Sequence, residues 1–186
     1  LEEDAFLFQD KQGKQKFQKP RLAGNHQFHN AAEAIVCARN LKSFTVSNEA
    51  IAKGLQTVEW PARLQQLNKG PLIKLLPNGW ELWLDGGHNT AAAKAIASEA
   101  QKTWADAPLF LIFGMLNSKE PGDFLSVLTS QVQELKAVVI PGESATLSAD
   151  ESAKAATSVG INASSAKSVE DAIRQLAATS LPRARI

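Results

Sequence analysis

The spacing of apolar positions changes along the chain, and the change falls near Pro61. Before it, residues 5–9 (Ala-Phe-Leu-Phe-Gln) and 15–17 (Gln-Lys-Phe) flank Gly13, an arrangement that predicts a β-hairpin. Residues 30–41 are rich in helix formers and place Ala31, Ala34, Ile35, Ala38 and Leu41 on one helical face, so a helix is expected there. Ser47 precedes a second helical stretch, 48–55, with Glu49 in its first turn and Gly54 near its end. After Pro61, short apolar runs alternate with amphipathic stretches. Strands are expected at 64–67, 72–76, 81–84, 109–113, 137–140 and 161–163, and helices at 90–103, 122–131, 149–159 and 169–179. Pro77-Asn78-Gly79 supplies a turn between the second and third strands. Such alternation is the signature of an α/β fold: a Rossmann-like, mostly parallel sheet with flanking helices. At 181–186 it requires one more strand, which the sequence barely begins.

Composition narrows the classes without naming one. The 186 residues suffice for one α/β domain and an appendage. With 44% hydrophobic and 21% charged residues the chain can build a core, which excludes disorder and fibrous repeats. Twenty basic residues balance 19 acidic ones, so no overall field draws it to nucleic acid or an anionic membrane, and any anion site must be local. Cys37 has no second cysteine to pair with and sits in an apolar stretch, Ala34-Ile35-Val36-Cys37-Ala38, which places it on the apolar face of its helix and fits a reducing cytoplasm. No apolar run reaches the length of a membrane span, and the opening Leu1-Glu2-Glu3-Asp4 does not read as a signal peptide; its lack of an initiator Met is expected of a fragment or a processed chain.

The most informative segment is Leu82-Trp83-Leu84-Asp85-Gly86-Gly87-His88-Asn89, a strand with a polar cluster at its carboxyl end, directly before a helix. Ligands of open α/β sheets bind at that end. Two glycines allow close approach to the backbone, the helix N-terminus favours an anion, and Asp85 and His88 add an acceptor and a titratable group. The same residues also describe a plain strand-to-helix turn, with Asn89 capping the helix and Asp85 binding backbone amides.

Three further segments precede this one in order: Gly24-Asn25-His26-Gln27-Phe28-His29-Asn30-Ala31-Ala32, Ile51-Ala52-Lys53-Gly54-Leu55, and Trp60-Pro61-Ala62-Arg63-Leu64-Gln65. Together with Leu84-Asp85-Gly86-Gly87-His88-Asn89 they resemble the successive signatures of the bifunctional dihydrofolate synthase/folylpolyglutamate synthases of the Mur ligase superfamily. The resemblance runs from about Leu22 through Gly114-Met115-Leu116, and beyond that only the architecture is similar. Two positions depart from the pattern: Ala62 stands where the family usually has Gly, and Gly87 where it usually has Ala.

The resemblance implies residues 1–59 as the tail of a central ATP-binding domain, 60–63 as a hinge, and 64–186 as a Mur-type C-terminal domain cut short at its end. It implies that Asn30, Arg63 and Asp85 contact ATP and that His88 lies near glutamate and an acyl phosphate. Their chemistry is suitable: an amide for an adenine edge, a guanidinium for phosphate, a carboxylate for ribose hydroxyls, and an imidazolium for an anion or developing charge. Mg²⁺, L-glutamate and a folate or dihydropteroate belong to the implied complete enzyme, with no cofactor expected to stay bound to this chain. No Gly-x-x-x-x-Gly-Lys-Ser/Thr phosphate loop occurs in the sequence, so the chain alone is expected to be inactive and to need a missing N-terminal domain.

Bland roles exist for each residue: Asn30 as a helix cap, Arg63 as a surface ion-pair partner, His26 and Gln27 as loop ties, His29 and Lys119 as solvated side chains. Trp60 is expected to anchor the hinge by packing, and Trp80, Trp83 and Trp104 to lie in the core or on a sheet face. A peptidoglycan-precursor amino-acid ligase of the same superfamily shares the C-terminal fold, but the Trp-Pro and His-Gln segments favour the folate branch; against a non-catalytic nucleotide- or protein-binding module with a degenerate sheet stand the intact Arg63, Asp85 and His88.

Overall fold

The computed structural model describes residues 5–186; Leu1–Asp4, whose sequence bears on a signal peptide, lie outside the described residues. The chain forms two compact units that divide between Gln65 and Gln66.

In the first unit, β1 (Ala5–Asp10) and β2 (Gly13–Gln18) form an antiparallel hairpin in which Phe6 faces Phe17. Gly13, at φ 117°, makes the turn in a conformation that few other residues adopt. Phe6, Phe8 and Phe17 all point to one side, where they pack against α1 (His26–Arg39) and α2 (Asn48–Thr57) through Ala31, Ile35 and Ile51. Arg39 closes this core, with its guanidinium over the Phe8 ring and 2.9 Å from the Asp10 carboxylate. Cys37 is exposed, contrary to expectation: the buried face of α1 is Gln27, Ala31 and Ile35, and Cys37 lies outside that stripe. Trp60 is 60% exposed, so the expected packing anchor is not formed.

The second unit is a six-stranded sheet. Its elements run β3 (Gln65–Leu67), β4 (Trp80–Leu84), α3 (Thr90–Lys102), β5 (Leu109–Phe113), α4 (Pro121–Ser126), β6 (Val132–Ala137), α5 (Ala149–Ser158), β7 (Ala163–Ser165), α6 (Val169–Ala177) and β8 (Ala184–Arg185). In space the strands lie in the order β3-β4-β8-β5-β6-β7, and every pairing among β4 to β8 is parallel. The chain moves outward through β4, β5, β6 and β7, then returns by α6 to place β8 in the gap between β4 and β5. Crossovers of one hand put helices of the outward run on one face and the returning helix on the other. Accordingly α3, α4 and α5 contact one another in series, while α6 packs on β5 with a short 3₁₀ turn, Ile73–Leu75.

Several expected elements shift. The apolar run 72–76 is that 3₁₀ turn instead of a strand: Lys74, Leu75 and Leu76 donate to the carbonyls of Pro71, Leu72 and Ile73, and the leucines pack on the Trp80, Leu82 and Phe110 core. A short apolar run bounded by prolines does not distinguish the two conformations. The strand expected at 137–140 is Val132–Ala137, because its alternation is masked by Glu134 and Lys136, which pair at 2.7 Å. The apolar residues after it mark only its carboxyl end, with Val138 donating to the Phe113 carbonyl. The helix expected at 122–131 stops at Ser126, and its remainder forms turns closed on Leu125 and Leu128. The strand expected at 161–163 falls at Ala163–Ser165.

Candidate functional site

The segment after β4 is an ordered turn whose groups are tied one to the next. Asp85 is half-buried, and its Oδ1 accepts from the Gly87 N–H at 2.7 Å. Asn89 caps α3, its side chain accepting from the Ala92 N–H at 2.9 Å. The Asn89 bond satisfies an amide that would otherwise lack a partner at the head of the helix, and the Asp85 bond closes the turn before it. Gly87 is required by space: a Cβ there would lie 2.7 Å from the Ala92 Cβ and 2.7 Å from Asp85 Oδ1. His88 is exposed, with Nδ1 3.1 Å from the Gly86 carbonyl oxygen.

The same sheet edge carries the loop after β5. Gly114 lies against the Val138 carbonyl, Met115 is buried, and Leu116 bridges to Thr146. Lys119 is exposed. Behind the turn, Phe124 of α4 stacks on Phe113, their ring centres 5.8 Å apart. Asp85 and His88 therefore stand together in a hydrogen-bonded turn at the carboxyl edge of the sheet.

The other two expected residues belong to the first unit. Asn30 is exposed on α1, with its Nδ2 donating to Gln27 Oε1 at 2.9 Å. It does not cap the helix, because α1 starts at His26 behind Asn25. Gln27 is 4% exposed and in turn bonds His26 at 2.9 Å; both lie in the first turn of α1, so the expected tie of a loop is instead a contact within the helix. Arg63 is exposed and donates only a long bond, 3.4 Å, to the neighbouring Ala62 carbonyl. Among the described residues no carboxylate pairs with it and no hydrogen bond joins it to Asn30. Ala62 and Leu64, on either side of it, have φ of 57° and 43°, left-handed backbone that non-glycine residues avoid.

A second cluster lies at the opposite, amino ends of the strands. Arg185 in β8, 7% exposed, donates to Glu81 Oε2 at 2.9 Å, to Asp106 Oδ1 at 2.6 Å and to the Trp104 carbonyl at 3.2 Å. Burial pushes the Glu81 carboxyl up, but hydrogen bonds from Arg185 and Trp83 and the Arg185 charge outweigh it and hold the group below its usual range. The Arg185 hydrogen bond likewise lowers Asp106. The partners are 104 and 79 residues away in sequence, so no local pattern announces them. Among the described residues, no cluster of His, Cys, Asp and Glu could hold a metal ion, and no helix is long and apolar enough to cross a membrane.

Comparison with known families gives a match to the Mur ligase glutamate ligase domain over residues 72–185, more than half of the chain. The chain belongs to that family. Outside the family model, this Mur ligase chain is 32% identical over 107 residues to a probable bifunctional folylpolyglutamate synthase/dihydropteroate synthase of Halobacterium salinarum, covering 58% of this chain and 12% of that protein. It is 30% identical over 101 residues to the dihydrofolate synthase/folylpolyglutamate synthase of Bacillus subtilis, covering 53% of this chain and 21% of that one. Among solved structures, FolC of E. coli bound to ADP covers 100% of this chain and 40% of its own, with a TM-score of 0.76 at 20% identity. The Mur ligase chain thus spans less than half the length of the relatives it matches. The Yersinia pestis synthase, similar in fold at a TM-score of 0.67 and 22% identity over 99% of this chain and 42% of its own, was solved with AMPPNP and a manganese ion.

Proposed function

We propose that this chain is the C-terminal part of an ATP-dependent ligase that joins L-glutamate to dihydropteroate or folates through an acyl phosphate. The observation that carries the reading is the hydrogen-bonded Asp85–His88 turn at the carboxyl edge of a glutamate ligase domain sheet. Residues up to Glu59 are the tail of the ATP-binding domain, 60–63 the hinge, and turnover requires residues outside this chain.

The roles follow from what each side chain offers. Arg63 is exposed and has no carboxylate partner among the described residues, which fits phosphate oxygens of ATP. Asn30, exposed on α1, spends its Nδ2 on Gln27, and its side-chain oxygen is the atom suited to accept from an adenine amino group. Asp85 shares its carboxylate between the turn and ribose hydroxyls. His88 stands where the amine of glutamate meets the acyl carbon. Mg²⁺ would supply charge neutralisation at the transferring phosphate, and among the described residues no cluster of His, Cys, Asp and Glu would hold it. Carboxylate activation, attack by the amine and loss of phosphate then proceed in a site from which water is excluded.

The test is ADP release by the full-length protein given ATP, Mg²⁺ and dihydropteroate. Release should depend on glutamate and be lost in His88→Ala, while the 186-residue chain alone gives no turnover. Glutamate-independent release, or unchanged kinetics in His88→Ala, would refute the reading.

A further inference from the structure

The peptide group between Gly86 and Gly87 is held at both ends. Its N–H donates to the Asp85 carboxylate at 2.7 Å, and its carbonyl oxygen is 3.1 Å from Nδ1 of His88. A carbonyl oxygen only accepts, so Nδ1 must carry the proton. A neutral imidazole has one N–H, and the lone pair is therefore on Nε2. His88 is exposed, and among the described residues Nε2 makes no hydrogen bond. Asp85 and His88 are thus a carboxylate and an imidazole joined through one peptide unit. The carboxylate polarises that unit, and its carbonyl becomes a better acceptor for a charged ring.

We propose that this peptide-bridged pair makes His88 Nε2 the proton acceptor for the amine of the incoming amino acid. The proposal rests on the glutamate-ligase reading above and assigns to His88 an atom and a step. Glutamate arrives as an ammonium, which has no lone pair. One of its protons passes to Nε2, giving an imidazolium whose Nδ1–H stays on the Gly86 carbonyl. The freed electron pair forms the bond to the acyl carbon, the acyl carbon–oxygen bond breaks, and phosphate leaves with that electron pair. The nitrogen then loses a second proton to the departing phosphate, which completes the amide. Asp85 acts here as a positioning residue, through the Gly87 amide from which its carboxylate accepts.

Hydroxylamine separates this step from the others, because its nitrogen is unprotonated at neutral pH and needs no acceptor before attack; the one proton it sheds afterwards goes to the departing phosphate. In the full-length protein with ATP, Mg²⁺ and dihydropteroate, His88→Gln should lower kcat for glutamate-dependent ADP release by roughly 10²- to 10⁴-fold, the usual worth of a general base. KM for glutamate should change little, and hydroxamate formation from hydroxylamine should stay close to that of the unaltered protein. Equal loss with both nucleophiles would place His88 in binding or in forming the acyl phosphate, and would overturn the proposal. So would a raised KM for glutamate at unchanged kcat. In protein labelled with ¹⁵N-histidine, the ring signal that His88→Gln removes should show Nδ1 protonated at neutral-ring pH; an Nε2–H ring overturns the proposal. If the unaltered protein forms hydroxamate but fails to use glutamate, the ligase reading itself is wrong, whatever the ring signal shows.

Discussion

Replacing Arg185 by Met keeps the length and apolar stem of the side chain while removing its charge and donors. In the folded protein the guanidinium is nearly buried and serves Glu81, Asp106 and the Trp104 carbonyl. Breaking a buried pair from one side costs about 3–5 kcal/mol, because the other charge loses its partner. Here Glu81 keeps 28% of its side-chain surface in contact with water and Asp106 keeps 46%, so rehydration offsets part of that. The Trp104 carbonyl also loses a donor. An overall cost of about 2–3 kcal/mol follows for a partly hydrated pair. Urea denaturation followed by the fluorescence of Trp80, Trp83 and Trp104 measures it, and a loss under about 0.5 kcal/mol, the level of an ordinary surface substitution, would refute the reasoning. The pH dependence gives a second check. Glu81 and Asp106 are both lowered in the folded state, so their contribution is present above the ordinary carboxylate values of 4.5 and 3.8 and is lost as pH falls through the depressed ones. The gap between the two proteins should therefore be widest near neutrality and narrow in acid; a gap that widens in acid contradicts the pairing.

Two other substitutions test separate parts of the fold. Ala62→Gly relieves a left-handed alanine at φ 57° and should stabilise the protein by about 0.5–1 kcal/mol after the greater flexibility of glycine is subtracted, read as a rise in denaturation midpoint; no rise would mean the strain is absent. Phe110→Ala empties a site with no exposed surface, stacked on Trp80 at 5.5 Å, and should cost about 3–5 kcal/mol in the same urea assay, whereas a cost below about 1 kcal/mol would mean that the core collapses around the gap.

How much of this was legible depended on the range of the interaction. The hairpin around Gly13, the helices begun by Ser47 and Asn89, and the strand Leu109–Phe113 are set by neighbours a few residues apart, and those patterns are visible in the chain. The turn at Asp85 was legible for the same reason, down to Asn89 as a cap and Asp85 as an acceptor of backbone amides. Elements decided by tertiary contact were not. The 72–76 run became a 3₁₀ turn because it packs on the sheet, and β6 hides its pattern behind a Glu134–Lys136 pair. The two departures from the family pattern, Ala62 and Gly87, carry no local signal of the backbone or space each occupies. In three dimensions Ala62 occupies glycine backbone and Gly87 leaves no room for a methyl group. Arg185 was silent because its partners come from distant parts of the chain.

The position of β8 has a consequence for how the second unit is assembled. The strand that joins β4 to β5 follows every other strand of the sheet in sequence. Trp80 and Glu81 must find Ala184 and Arg185 across more than half the chain, a closure that slows folding relative to local pairing. While synthesis proceeds, β4 and β5 each present a bare edge of unpaired amides and carbonyls, the kind of surface on which stray strands add. A charged residue at that last strand, matched by Glu81 on one side and Asp106 on the other, gives the gap a lock that an intruding apolar strand does not fit.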